Sequence, residues 1–298
     1  MTDQMPGDLM AFGLGYSALA LARRLNAAGV AVSGTTRSPE KARLLTAEGF
    51  RVHLFDGQSA DAELREAVRQ ASHVLVSPAP DAGGDPVLRV LEDDLAAAGR
   101  LSWIGYLSTV GVYGDHKGGE VTESSELRPV SERARRRVAA EAAWLEFGRR
   151  TGHAVQIFRL AGIYGPGRNQ LEGVLSGKAR RIVKPGQIFN RIHVEDIARV
   201  LEASMARPRA GAVYNVADDE PAPPQDVVLH AARLLGLPPP PEVAFEAAEM
   251  SEMARSFYGE SKRVSNRLIR EELGVRLAYP TYRETLAALL PGVQARFT

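Results

Sequence analysis

The chain alternates short apolar runs with stretches in which apolar residues return at helical spacing. Residues 9–12 are apolar throughout, and after a glycine-rich turn Leu19, Leu21, Ala22 and Leu25 fall on one helical face. Gly29 is a helix stop, and residues 30–37 (VAVSGTTR) are β-branched and apolar enough for a buried parallel strand. Ser38 and Pro39 supply the N-cap and first-turn proline of a helix through Leu45. Further strands are predicted at 51–55, 73–77, 101–108 and 154–160, and helices at 62–69, from the Asp85–Pro86 cap to about 98, and at 132–147. Strands and helices alternating at this spacing predict an α/β fold with a doubly wound parallel sheet. Beyond Gly165 the elements become shorter and are punctuated by Gly and Pro, which marks a second region. In it, Pro238 to Pro241 form a stiff connector, and amphipathic helices are expected at 261–273 and 282–290.

Composition narrows the chemistry. The 298 residues are 45% hydrophobic and 24% charged, as for a globular chain, and the net charge of +1 gives no bulk drive toward nucleic acid or acidic membranes. The absence of cysteine excludes disulfides, thiolate metal sites and cysteine nucleophiles, and the six scattered histidines show no ligand spacing, so no metal is expected. The N-terminus lacks signal-peptide regions and no apolar run spans a bilayer, so a cytoplasmic protein, monomer or homodimer, is expected.

The candidate chemistry begins at the first turn. Gly13, Gly15 and Ala18 stand as G-x-G-x-x-A between strand and helix. The first glycine permits the sharp turn, the second lets a pyrophosphate approach the backbone, and the small third residue lets the helix pack on the sheet. Tyr16 and Ser17 lie in this turn, at a helix N-terminus whose free amides suit phosphate. At the end of the second strand, where an acid would bind a free ribose 2′-hydroxyl, stand Thr36 and Arg37, with Lys41 one helical turn on. That favours NADP over NAD, against the alternative of a solvated surface Arg. Asp56 follows the third strand, placed to reach the adenine amino group or to cap the next turn. Ser77, Pro78 and Ala79, after the fourth strand, are assigned to the same cofactor.

From these segments, with LSTVGVYG at 107–114, FRLAGIYGPGR at 158–168, RIHVEDIA at 191–198 and YNVADDEP at 214–221, the chain resembles the short-chain dehydrogenase/reductase superfamily, extended type, the group of sugar-nucleotide epimerases and dehydratases. The resemblance implies a Rossmann domain over 1–165, with segments near 188–217 returning to it. It also implies a smaller C-terminal α+β substrate lobe over 166–298, and hydride transfer to or from nicotinamide. In that family a Tyr handles the proton, a Lys four residues later lowers its pKa, and an upstream Ser or Thr, here Ser108 or Thr109, holds the reacting oxygen. The segment PVSERARRRVAAE at 129–141 departs from this pattern, because the Tyr position falls on Arg133 and the Lys position on Arg137. An Arg keeps its proton at working pH and does not replace the Tyr.

Two readings of Arg137 stand: a hold on the cofactor ribose, or a place on the solvated face with Arg135 and Arg136. Tyr113 and Tyr164, in loops after strand ends, are candidate substitute acid/base groups or wall residues, with Asp115 and Glu123 behind them. The Asp81 to Asp85 loop reads as an acidic surface loop. The second region holds Arg168, Lys178, Arg180, Arg181, Lys184 and Arg191, of which Arg168, Arg180 and Arg191 are the substrate-binding candidates, against a solvated basic face. His193 and Asp196 read as a strand-to-helix linkage with Asp196 near the cap. Two functions follow from the sequence. One is an NADP-dependent epimerase or dehydratase-like oxidoreductase acting on a small, phosphate-bearing or nucleotide-linked substrate. The other is a catalytically silent NADP-binding redox sensor or regulator.

Overall fold

The computed structural model describes residues 7–297. In chain order its first half runs β1 (Leu9–Phe12), α1 (Tyr16–Ala27), β2 (Val32–Thr36), α2 (Pro39–Ala47), β3 (Arg51–Leu54), α3 (Ala62–Gln70), β4 (His73–Val76), α4 (Pro86–Ala96) and β5 (Trp103–Thr109). Then come β6 (Glu120–Val121), α5 (Glu132–Thr151), β7 (Val155–Leu160), β8 (Gly162–Tyr164), α6 (Gln170–Leu175), β9 (Arg181–Val183), β10 (Arg191–His193), α7 (Val194–Ala206) and β11 (Val213–Val216). The chain closes with α8 (Pro224–Leu234), β12 (Glu242–Ala244), α9 (Glu252–Phe257), β13 (Arg263–Val264), α10 (Arg267–Glu271) and α11 (Tyr282–Phe297).

Seven strands form one sheet in the order β11-β7-β5-β4-β1-β2-β3, every neighbouring pair parallel. Side chains alternate across it, so each strand serves two cores. Leu9 and Ala11 join α1 and α7 on one face, through Leu21, Leu25, Ile197 and Leu201. Met10 and Phe12 join α3, α4 and α5 on the other, through Leu64, Val68, Leu91 and Trp144. The strand order reverses between β1 and β4, which opens a crevice at their C-terminal ends. A third core of Leu171, Val227, Tyr282 and Leu286 unites α6, α8 and α11 in the smaller lobe. β11 returns to the central sheet, and α7 packs on α1, whereas β10 pairs with β8 in a separate two-stranded sheet.

The elements before Gly165 lie where the pattern predicts them, with small shifts at their ends. The second strand begins at Val32 because the Val30 amide still bonds the Leu25 carbonyl of α1. The helix expected at 261–273 divides. Arg263 and Ser265 donate their amides to Gly119 and Val121, so this stretch becomes β13 alongside β6, and only Arg267–Glu271 is helical. The helix expected at 282–290 continues to Phe297 through Pro291. No helix among the described residues is long and apolar enough to cross a membrane.

Candidate nucleotide-binding crevice

The glycine-rich turn has the geometry its spacing predicts. Gly13 adopts φ +75°, a left-handed conformation open to glycine, and its amide donates to Thr35 Oγ1 at 2.9 Å. Gly15 is the N-cap of α1 and supplies no side-chain cap, so the first-turn amides are left for an anion. Ala18 is fully buried, which lets α1 sit close to the sheet, and the Tyr16 hydroxyl donates to the Pro166 carbonyl at 2.9 Å, tying the turn to the loop after β8. These features fit a dinucleotide pyrophosphate. At the end of β2, Thr36 Oγ1 accepts the Ser38 amide, and Arg37 is exposed without a carboxylate partner among the described residues. Lys41 follows in the first turn of α2, whose N-cap Ser38 accepts its amide. Asp56 Oδ1 accepts the Gln58 amide at 2.8 Å, the turn-capping alternative, and that bond holds its carboxyl below the usual range.

Beside the turn lies a cavity of about 610 Å³ between the sheet and the smaller lobe. Ser17, Ser77, Ser108, Thr109 and Arg137 line it from the sheet side, and Tyr164, Arg168, Arg180 and Arg191 from the lobe side. Pro78 and Ala79 continue the loop beyond Ser77, and a Cβ on Gly13 would touch the Pro78 ring at 3.4 Å. Arg137 is pinned at the cavity floor rather than solvated with its neighbours. Its Nη1 donates to the carbonyl of Leu107 at 2.6 Å, the hydroxyl of Tyr106 at 3.0 Å and the carbonyl of Pro78 at 3.4 Å. Arg135 and Arg136, by contrast, pair with Glu132 on the outer face of α5.

Beneath the cavity floor the polar groups bond one another in a chain that leaves only the Asn215 Nδ2 amide without a partner. Ser108 donates to Glu141, and Glu141 forms a buried ion pair with Arg159 at 2.7 Å. Arg159 also donates to the Tyr113 hydroxyl at 2.9 Å, which in turn donates to Asn215 Oδ1 at 2.6 Å. Tyr113 is therefore fully buried with its oxygen occupied on both sides, and burial pushes its pKa up. Tyr164 is buried as well; its hydroxyl bonds Asp218 Oδ2 at 3.2 Å and Thr285 Oγ1 at 2.8 Å, and burial, then Asp218, push its pKa up. Both phenol oxygens are thus engaged by protein partners, Tyr113 by Arg159 and Asn215 and Tyr164 by Asp218 and Thr285. Asp115 and Glu123 are likewise engaged, Asp115 by the amides of Lys117 and Ser261 and Glu123 by that of Asn215. Asp81 pairs with Arg89, and Asp85 caps α4. Of the two upstream hydroxyls, Ser108 belongs to this buried network. Thr109 Oγ1 accepts the Gly111 amide at 3.1 Å and donates to no partner among the described residues.

A part of the wall that the sequence did not reveal comes from the segment 260–264. The Lys262 ammonium, 5% exposed, donates to the Gly114 carbonyl at 2.9 Å and to Glu260 Oε2. Asn190 clasps the same segment, giving its amide to the Lys262 carbonyl at 3.0 Å and accepting the Val264 amide at 2.8 Å. Both Glu260 and Lys262 face the cavity. A Cβ at Gly111 would stand 3.4 Å from Thr109 Oγ1 and 3.8 Å from Glu260 Oε1, so the two oxygens flank one open position. The signal available was the stretch G-E-S-K-R-V itself, whose Gly and Ser weaken a helical reading.

The basic set divides in space. Arg168, Arg180 and Arg191 reach the cavity, while Arg181 pairs with Glu242 at 2.8 Å and Lys184 donates to the Tyr258 carbonyl. His193 is the N-cap of α7, and burial lowers its pKa to about 4. Asp196, inside the first turn of α7, accepts the amides of Ala278 and Tyr279 at 2.7 and 2.9 Å, so it pins the distant 278–279 loop rather than its own helix start. Asp218, buried beside Tyr164, has its pKa pushed up to about 7 by burial, against the pull of Arg191.

Comparison with known proteins follows the same outline. The model of the NAD dependent epimerase/dehydratase family matches residues 13–217. Protein YeeZ of Escherichia coli K12 is 31% identical over 278 residues, covering 90% of this chain and 94% of its own. A functionally unknown conserved protein from Silicibacter pomeroyi superposes with a TM-score of 0.89 at 51% identity, covering 96% of this chain and 99% of its own. UDP-glucose 4-epimerase from Thermotoga maritima shares the fold at a TM-score of 0.81 and 15% identity, covering 98% of this chain and all of its own. With its parallel sheet, glycine-rich turn and crevice, the chain belongs to the NAD dependent epimerase/dehydratase family.

Proposed function

We propose that the protein is an NADP-dependent oxidoreductase of the epimerase/dehydratase type, acting on a small molecule held in the cavity. The observation that carries this reading is that Ser17 of the glycine-rich turn, Thr109 and Glu260 all line one cavity. Gly13, Gly15 and the first-turn amides of α1 would hold the pyrophosphate, Arg37 and Lys41 the 2′-phosphate, and Arg137 the ribose. A bound nicotinamide supplies hydride chemistry. Thr109 donates its proton to the reacting oxygen, because its own oxygen already accepts from Gly111. Glu260, with Oε2 held by Lys262, moves the proton through Oε1, the role that Arg133 cannot fill.

The test is NADPH oxidation by the holoprotein across a panel of carbonyl and nucleotide-sugar substrates. Turnover is expected, and Glu260→Gln should lower it at least about a hundredfold while NADPH affinity holds. The second reading, a silent redox sensor, is favoured by the Arg at the Tyr position and by the locked phenols. Tight NADPH binding with no turnover, together with a co-purifying partner protein, would establish it instead.

A further inference from the structure

Within α5 the four neighbouring arginines are treated differently. Arg135 and Arg136 are neutralised by Glu132 on the outside. Arg133 and Arg137, four residues apart and so on one helical face, both line the cavity and have no carboxylate within ion-pair distance among the described residues. The Arg133 guanidinium lies over the Phe257 ring, 5.2 Å from its centroid, which orients it without neutralising it. Across the cavity, Arg191 is only 6% exposed. Its Nη1 donates to the carbonyls of Phe189 at 3.2 Å and Ala222 at 3.4 Å, and Asp218 attracts it without an ion-pair contact among the described residues. A buried guanidinium that no carboxylate contacts is costly in an empty site and becomes an asset when an anion arrives. Glu260, the one carboxylate among the described residues of the cavity wall, is already matched by Lys262.

We infer that the cavity takes a small molecule with two anionic groups, carboxylate or phosphoryl, one on Arg133 backed by Arg137 and the other on Arg191. Arg133 thus turns the position that resembles a proton-transfer site into an anion clamp beside Thr109. That this ligand is the substrate rests on the oxidoreductase reading above; the binding of two anions does not.

The experiment is calorimetric titration of the NADPH-loaded protein with fructose, fructose monophosphate, fructose bisphosphate and citrate. One of the two multiply charged probes should bind at least about tenfold tighter than the monophosphate, with fructose silent. Whether citrate or the bisphosphate wins separates carboxylate from phosphoryl recognition. Arg133→Gln, at an exposed position that the fold does not need, should remove about tenfold of that affinity and leave NADPH binding intact. Arg191→Lys keeps a buried charge but not the guanidinium fork, and should weaken the same probe with the melting temperature retained. Equal binding of all four ligands, no binding of any of them, or an Arg133→Gln protein that binds the probe as the wild type does would overturn the inference. Failure to bind NADPH would overturn the cofactor reading instead, and the titration is then read on the unloaded protein.

Discussion

The two walls of the crevice handle charge in opposite ways. On the sheet side, Ser108, Glu141, Arg159, Tyr113 and Asn215 form a bonded chain inside the protein, with the Asn215 Nδ2 amide at its end left unpartnered. On the lobe side, Arg168, Arg180 and Arg191 reach the cavity with no carboxylate in ion-pair contact among the described residues, Asp218 attracting Arg191 only from a distance. The first arrangement fixes a shape, because a bonded buried network rigidifies the strands that carry it. The second leaves electrostatic work for a ligand. A family resemblance draws attention to the sheet wall, where the motifs stand, yet the ligand-facing charges sit mostly elsewhere.

The comparison is sharpest at Arg159. Arg159→Met would strand the Glu141 carboxylate in the interior, at a cost of about 3–5 kcal/mol. Thermal unfolding should register a fall on the order of 10 °C. A variant that melts like the wild type would mean that the buried Glu141–Arg159 pair does not support the fold. A smaller change is expected from Tyr113→Phe, which removes the hydroxyl between Arg159 and Asn215 and should cost about 1–2 kcal/mol in denaturant unfolding. NADPH affinity and any turnover should be unaffected. Lost turnover in a protein of wild-type stability would return the phenol to the chemistry.

An effect confined to a pH window concerns Asp218, close to Tyr164. Its pKa is pushed up to about 7 in the folded protein, against about 3.9 in an unfolded chain. The native state therefore keeps a proton that the unfolded state has lost. The stability this provides is complete below the unfolded pKa and disappears as pH rises through about 7. Asp218→Asn removes that loss, so the melting temperature of the variant relative to wild type should climb by about 3 °C between about pH 5 and pH 8. A difference that stays flat with pH would show that the carboxyl titrates normally.

Much of the sheet wall was legible in the sequence because its determinants are local. Two glycines and an alanine at fixed spacing specify a strand-turn-helix, and β-branched runs between helical patterns specify a parallel sheet. Arg37 could be located because it closes a strand whose position was already fixed. Glu260 and Lys262 could not, since nothing in a short polar stretch tells that its lysine will be buried. That outcome depends on Asn190 and Gly114, remote in the chain, supplying the partners. The roles of Tyr113 and Tyr164 were hidden for the same reason: both follow strand ends, but whether a phenol opens to the crevice or closes a network is set by Arg159, Asn215 and Asp218 arriving from other elements.

The proposed preference for NADP rests above all on Arg37 as the group that would hold the 2′-phosphate. The direct measurement is the affinity of the wild type and of Arg37→Ala for NADPH and for NADH, followed by fluorescence of the bound nicotinamide. NADPH should bind the wild type more tightly, and the variant should lose at least about tenfold in NADPH affinity, the worth of one charge-assisted phosphate contact, with NADH nearly unchanged. Equal losses for the two cofactors, or no NADPH preference in the wild type, would contradict it.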